Sequence, residues 1–318
     1  MSKYRILSLD GGGIRGLMTA VWLKRLREKL SKPLHHYFDL VAGTSTGAML
    51  ACAVSKGLDP DEIIDLYMER GRKVFPSTSS RLWSRATRVF SDGLSAPKYD
   101  GKGLESELRS VFKTSTFGGL RIKPTLVTTY DVFGRQAVVF KNTNARFKKL
   151  KVWEICRASA AAPTYFPAHV LNLDGADVPL VDGGVVANNP TACAIAEGVK
   201  INQTTGIGLE DFVVASFGTG ESIRRIDPGE AKEWGAAQWA IPIIDVLFDG
   251  SADSVDYISS QLVAADHYFR FQTRLTDAYD DMDNADRTNL NALIRIANQY
   301  IDNDVGGDML DSLAGLLD

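Results

Sequence analysis

A chain of 318 residues with 45% hydrophobic and 24% charged side chains has the composition of a globular protein with room for a sizeable core. Its formal net charge of −3 provides no global basic footprint, which argues against a nucleic-acid binder. Cys52, Cys156 and Cys193 form no C-x-x-C pair, make a poor disulfide framework and fit a reducing compartment. No run is long and apolar enough to span a bilayer, and Tyr4 to Leu9 is too short for a secretory signal and ends in Asp10. The expectation is a cytoplasmic protein that meets membranes only at their surface.

The elements read in chain order as follows. Arg5 to Leu9 is a buried strand, and Leu17 to Leu30 an amphipathic helix. Phe38 to Ala42 is a second strand, and Ala48 to Lys56 a helix of small residues suited to close packing on a sheet. Asp59-Pro60-Asp61-Glu62 is a helix start, with an acidic cap, proline at the first position and acids in the first turn. Thr125 to Tyr130 and Gln136 to Phe140 are strands joined by a hairpin-like turn, Asp131 to Gly134. Val178 to Val181 is a short strand, Pro190 to Val199 a helix, and Phe212 to Phe217 a strand. Trp239 to Phe248 reads as a buried helix, and the Asp-rich stretch Asp277 to Asp286 as a solvated surface loop. Alternating strands and helices predict an α/β fold with a largely parallel sheet, and no linker or repeat divides 1–318, so one domain is expected.

Two glycine-framed turns carry the chemistry. Gly43-Thr44-Ser45-Thr46-Gly47 has the form G-x-S-x-G, the sharp strand-to-helix turn that lifts a serine hydroxyl clear of a sheet. Glycines at 43 and 47 suit a turn with no room for side chains, and Thr46, the residue after the serine, supplies an oxyanion N–H. The structural alternative is a turn in which Ser45 only caps its helix. The other turn, Asp10-Gly11-Gly12-Gly13-Ile14-Arg15-Gly16, offers backbone N–H groups at a helix start, where negative charge is stabilised. It also satisfies G-x-G-x-x-G, the dinucleotide fingerprint. That rival needs an acid at the end of the second strand, and Asp39 stands at its start. Arg15 either stabilises the loop, attracts an anionic substrate or forms a surface salt bridge.

A serine needs a base. His35 and His36 precede Ser45, and neither His169 nor His267 sits in a turn motif. The best-framed acid is Asp182, at a strand end before Gly183 and Gly184. A carboxylate in reach of a serine hydroxyl serves directly as base when its pocket tunes its pKa, whereas D-G is also a common turn pair.

These motifs resemble those of the patatin-like phospholipases: a D-G-G-G-x-R-G loop (Asp10 to Gly16), a G-T-S-T-G elbow (Gly43 to Gly47) and a D-G-G aspartate (Asp182 to Gly184), in that order. Ala158 to Pro167, Asn188-Asn189-Pro190 and Phe217 to Gly220 are similar as well, as are Ile244 to Phe248 and Val255 to Tyr257. The resemblance implies a three-layer α/β/α fold and a Ser-Asp dyad, with Ser45 as nucleophile, Asp182 as general base and Gly11, Gly12 and Gly13 as oxyanion donors. It implies acyl-enzyme hydrolysis of phospholipids or galactolipids with no cofactor and no metal, calcium included. Some bacterial relatives are switched on by cyclic nucleotides, so a cyclic dinucleotide activator is a second expectation, and storage, as in plant relatives, a third. Between Arg70 and Arg88 lies a basic segment with interleaved apolar residues; Arg81, Trp83, Arg85 and Arg88 are candidates for a lid or an anionic-lipid contact, against a solvated loop with Trp83 tucked inside.

Overall fold

A computed structural model describes residues 3–76, 97–239, 242–303 and 305–318. Strand β1 (Tyr4–Leu9) leads through the glycine loop into helix α1 (Gly16–Lys29), and β2 (Leu40–Thr44) leads through Ser45 into α2 (Thr46–Lys56). Helix α3 (Pro60–Val74) opens at the expected cap: the Asp59 side chain accepts the Asp61 N–H at 3.0 Å, and Glu62 reaches back to the Asp59 N–H. Then come α4 (Lys102–Phe112), β3 (Thr125–Asp131), β4 (Gln136–Lys141), α5 (Val152–Ser159), β5 (His169–Leu173) and β6 (Ala176–Asp182). The rest comprises α6 (Gly184–Ala187), α7 (Thr191–Asn202), β7 (Phe212–Phe217), α8 (Pro228–Glu233), α9 (Ala236–Trp239), α10 (Pro242–Leu262), β8 (Tyr268–Phe271), α11 (Arg287–Asn303) and α12 (Gly306–Leu317).

The strands form one sheet in the order β5-β6-β3-β2-β1-β7-β8, with β4 also on β3. Its centre is parallel, from β3 through β2, β1 and β7 to β8, whereas β4, β5 and β6 join antiparallel. Helices cover both faces, as the alternation of the strands requires. Leu7, Leu9, Val41 and Val127 enter the larger core with α1, α2 and α11; Ile6, Leu40, Ala42 and Leu126 enter a second core with Ala194 and Ile195 of α7. The α/β expectation holds, with mixed pairing at one side.

The edges of β3 position the functional site. Strand β4 pairs with Leu126 to Asp131 along one edge. Strand β6 pairs with Thr129 to Asp131 of the same strand, so it must use the opposite edge, the one that β2 occupies from Thr125 to Thr128. There, Thr44 of β2 pairs with Thr128 and Asp182 of β6 pairs with Thr129. Two strands running in opposite directions thus meet end to end, and the residues leaving their C-terminal ends face each other.

Two expectations change. Helix α10 buries Ile244 and Phe248 in a small cluster with Val185 of α6, Tyr165 and Met282, yet Val246 and Leu247 are 42% and 45% exposed. A helix at the surface buries only one stripe, however apolar its sequence. The stretch Asp277 to Asp286 is not simply solvated: Met282 and Ala285 are buried, and the buried Asp283 carboxylate accepts from Tyr99 Oη and pairs with Lys98 Nζ, both at 2.5 Å. Its aspartates mask the apolar residues that anchor it.

Candidate active site

Ser45 sits between the last residue of β2 and the first of α2 with φ 55° and ψ −120°. A non-glycine residue in this region is strained, at a cost of roughly 1–3 kcal/mol, and persists where its surroundings over-determine it. The flanking glycines show why the turn is so tight. A Cβ on Gly43 would fall 2.2 Å from the Gly47 carbonyl oxygen, and one on Gly47 would fall 2.1 Å from the Leu9 carbonyl oxygen. The Ser45 side chain does not cap α2; its Oγ donates to Asp182 Oδ2 at 2.6 Å.

Asp182 is fully buried and also accepts the Gly184 N–H on Oδ1 at 2.8 Å. Burial pushes its carboxyl up to about 7, against the Ser45 and Gly184 hydrogen bonds, which pull it down. The last residue of α5 and the segment after it brace both residues. Ser159 Oγ accepts the Ser45 N–H at 2.8 Å and donates to the Thr128 carbonyl at 2.7 Å. The Ser159 carbonyl accepts the Gly183 N–H at 3.2 Å, and the Ala161 carbonyl accepts the Asp182 N–H at 3.0 Å. The family-like stretch Ala158 to Pro167 carries this brace, although the motif gave Ser159 no role.

The glycine loop follows β1 and passes beside Ser45. Its Gly11 N–H is already engaged, donating to the Asn188 carbonyl at 3.0 Å, which removes Gly11 from the expected oxyanion donors. The Gly12 and Gly13 N–H groups have no partner among the described residues. Gly13 has φ 59°, and a Cβ there would fall 2.1 Å from the Met282 carbonyl oxygen, which also accepts the Ile14 N–H at 2.8 Å. The Asp-rich stretch therefore holds the loop from behind. Thr46 opens α2, where a backbone N–H lacks an intrahelical partner, and its hydroxyl bonds with Tyr67 Oη. Arg15 makes no surface salt bridge among the described residues: it is buried, and Nη1 donates to the Asp280 carbonyl at 3.4 Å. Beneath the loop, Asp10 pairs with Arg270 at 2.6 Å.

The nucleotide alternative loses its acid. Asp39 Oδ2 accepts the Arg5 N–H at 2.8 Å, at the opposite end of the sheet from the glycine loop. No histidine is bonded to the serine: His35 bonds with Arg121 and packs on His36, His267 bonds with Lys3, and His169 packs on Trp153, with burial lowering its pKa to about 4. Among the described residues no cluster of His, Cys, Asp or Glu is placed to hold a metal ion. Arg81, Trp83, Arg85 and Arg88 lie outside the described residues.

Ser45 and Asp182 open onto an apolar cavity. Its walls are single stripes of three helices: Met49, Leu50 and Ala53 of α2, Ile63, Leu66 and Val74 of α3, and Leu104, Leu108 and Phe112 of α4. Tyr165, Phe248 and Met282 also line it. A hydroxyl bonded to a buried carboxylate at the wall of an apolar cavity, with Gly12 and Gly13 N–H groups that have no partner among the described residues, has the parts for acyl transfer to serine.

Comparison with known proteins shows the family of the chain. The family model for patatin-like phospholipase matches residues 7–195. Patatin-like protein 2 of Arabidopsis thaliana is 34% identical, the match covering 96% of this chain and 85% of that protein. Patatin-like protein 2 of Oryza sativa subsp. indica is 32% identical, over 94% and 84% of the two chains. Among solved structures, VipD from Legionella pneumophila matches at TM-score 0.44 and 14% identity, over 94% of this chain and 67% of that one. The chain belongs to the patatin-like phospholipase family. That membership places it among lipid acyl hydrolases in general. Among the described residues no helix is long and apolar enough to cross a membrane.

Proposed function

We propose that this chain hydrolyses the fatty acyl esters of membrane glycerolipids, phospholipids or galactolipids, with Ser45 as nucleophile and Asp182 as its only base. The observation that carries the reading is the 2.6 Å hydrogen bond from Ser45 Oγ to Asp182 Oδ2 at the wall of an apolar cavity. As Ser45 Oγ attacks the ester carbonyl, its proton passes to Asp182. The Gly12, Gly13 and Thr46 N–H groups receive the oxyanion. Collapse breaks the ester bond, and the departing alcohol takes the proton from Asp182, leaving the acyl group on Ser45. Water then gives a proton to Asp182 and attacks the acyl-enzyme; the fatty acid leaves and Ser45 recovers its proton. A carboxyl near pKa 7 suits this shuttle at neutral pH.

The test is fatty-acid release from phospholipid and galactolipid vesicles, resolved by mass. Ser45→Ala and Asp182→Asn are each expected to lower release by on the order of ten-thousandfold. Wild-type rates in either variant would overturn the assignment. A parallel arm with cyclic dinucleotides separates a constitutive hydrolase from a nucleotide-switched one, since the latter releases fatty acid only when the nucleotide is added.

A further inference from the structure

We propose that the apolar cavity is an acyl slot with a fixed floor, and that Ala53, Ile63 and Phe112 set the longest fatty acyl chain accepted efficiently. The proposal rests on the hydrolase reading of Ser45 and Asp182 and deepens it by naming the part of the substrate that is measured.

The slot has a direction. Helix α2 starts directly after Ser45, and its lining residues step away from the serine to Ala53, eight residues on and about 12 Å along the helix axis. Helix α3 runs back beside it, and the bond between Tyr67 Oη and Thr46 Oγ1 fixes the two in register near the serine. The lower ends of α2 and α4 are tied together: Lys56 Nζ donates to the Val111 carbonyl at 2.6 Å and lies 5.8 Å over the Phe112 ring. The three lining stripes therefore stop at one level, at Ala53, Ile63 and Phe112, which are 4%, 3% and 1% exposed. A chain that descends from an ester at Ser45 meets these side chains end-on.

The lining also selects hydrocarbon over a head group. Apart from Asp182, the charged residues on the wall are Arg70 and Glu107, and they pair with each other at 2.9 Å. An unpaired charge to receive a phosphate or ammonium group is therefore lacking among the described lining residues. An interior polar head group would be desolvated without compensation, whereas methylene groups gain from burial.

The test is a competition assay on a mixture of monoacyl glycerophospholipids that differ only in saturated chain length. The ratio of released fatty acids gives relative kcat/KM directly. Ala53→Leu raises the floor and is expected to lower the long-to-short ratio by at least about tenfold. Phe112→Ala deepens the slot and is expected to shift the same ratio the opposite way. Release from the shortest chain in each protein is the internal reference for that protein's ratio. A second readout needs no turnover: native mass spectrometry of fatty acids bound to Ser45→Ala, alone and combined with each floor substitution. A length cutoff that moves with the floor supports the slot even where wild type releases no fatty acid, a result that would count against the hydrolase reading alone. Hydrolysis with a chain-length profile unchanged in both variants, or binding with no movable cutoff, would overturn the slot.

Discussion

At the scale of single residues, the site depends on how Ser159 holds the serine backbone. Its hydroxyl is the partner of the Ser45 N–H and passes that bond on to the Thr128 carbonyl. Ser159→Ala leaves a buried N–H unpaired, which costs roughly 1–3 kcal/mol and loosens a residue already at φ 55°. The expected outcome is a tenfold or greater fall in kcat, in the sense of about 1.4 kcal/mol per decade, with little change in KM. Ser159→Thr, which keeps the hydroxyl, should recover most of it, and an unaffected kcat in Ser159→Ala would remove the bond from the account. Asp182 sets the pH profile. A base must be deprotonated, so kcat/KM on a soluble short ester should rise from acid pH to a plateau with a midpoint near 7. A midpoint in the ordinary carboxylate range would mean that burial does not act on this group.

At the scale of elements, the turns are fixed by backbone contact and the helices by stripes. Gly47→Ala would force a Cβ against the Leu9 carbonyl oxygen, where backbone must move. The expected loss is about 1–3 kcal/mol, read as a lower denaturant midpoint. Gly250, inside α10, has open space where a Cβ would go and no positive φ. Gly250→Ala should therefore stabilise by up to about 1 kcal/mol, as Ala does over Gly in a helix interior. Equal effects of the two substitutions would contradict the contact argument. The same contrast explains what was legible in the sequence. Glycine spacing and apolar runs located β1, β2, β7 and both turns to within a residue or two, because tight turns and buried strands leave local signatures. The cavity left none. Each of its three stripes is an ordinary amphipathic pattern by itself, and only the packing of α2, α3 and α4 reveals that the stripes face an empty space. Met282 was hidden in the same way, a single apolar anchor among aspartates.

At the scale of the whole molecule, the buried Asp182 carboxyl links stability to pH. In the unfolded chain it loses its proton near the ordinary value of 3.8, but in the folded chain only near 7. The folded state thus holds an extra proton between these values, and its stability falls as pH rises from about 4 to about 7. Above that window the full cost remains, up to about 4 kcal/mol at about 1.4 kcal/mol per pKa unit. Asp182→Asn removes the charge, so its melting temperature should exceed that of wild type at pH 9, by a margin that shrinks toward pH 5. A pH-independent difference would contradict a raised pKa. Topology that brings β2 and β6 to one edge of β3 places this costly group against Ser45, residues far apart in the chain. Sequence motifs could name both residues, but their meeting point required the register of β3.

Activation of Ser45 by Asp182 is tested by covalent labelling with a long-chain alkyl phosphonate ester carrying a good leaving group, followed by peptide mass mapping. Wild type should acquire one phosphonyl group on Ser45, Ser45→Ala none, and Asp182→Asn a label that forms at least a hundredfold more slowly, as loss of a general base implies. A label on another residue, or equal rates in wild type and Asp182→Asn, would contradict a serine activated by Asp182.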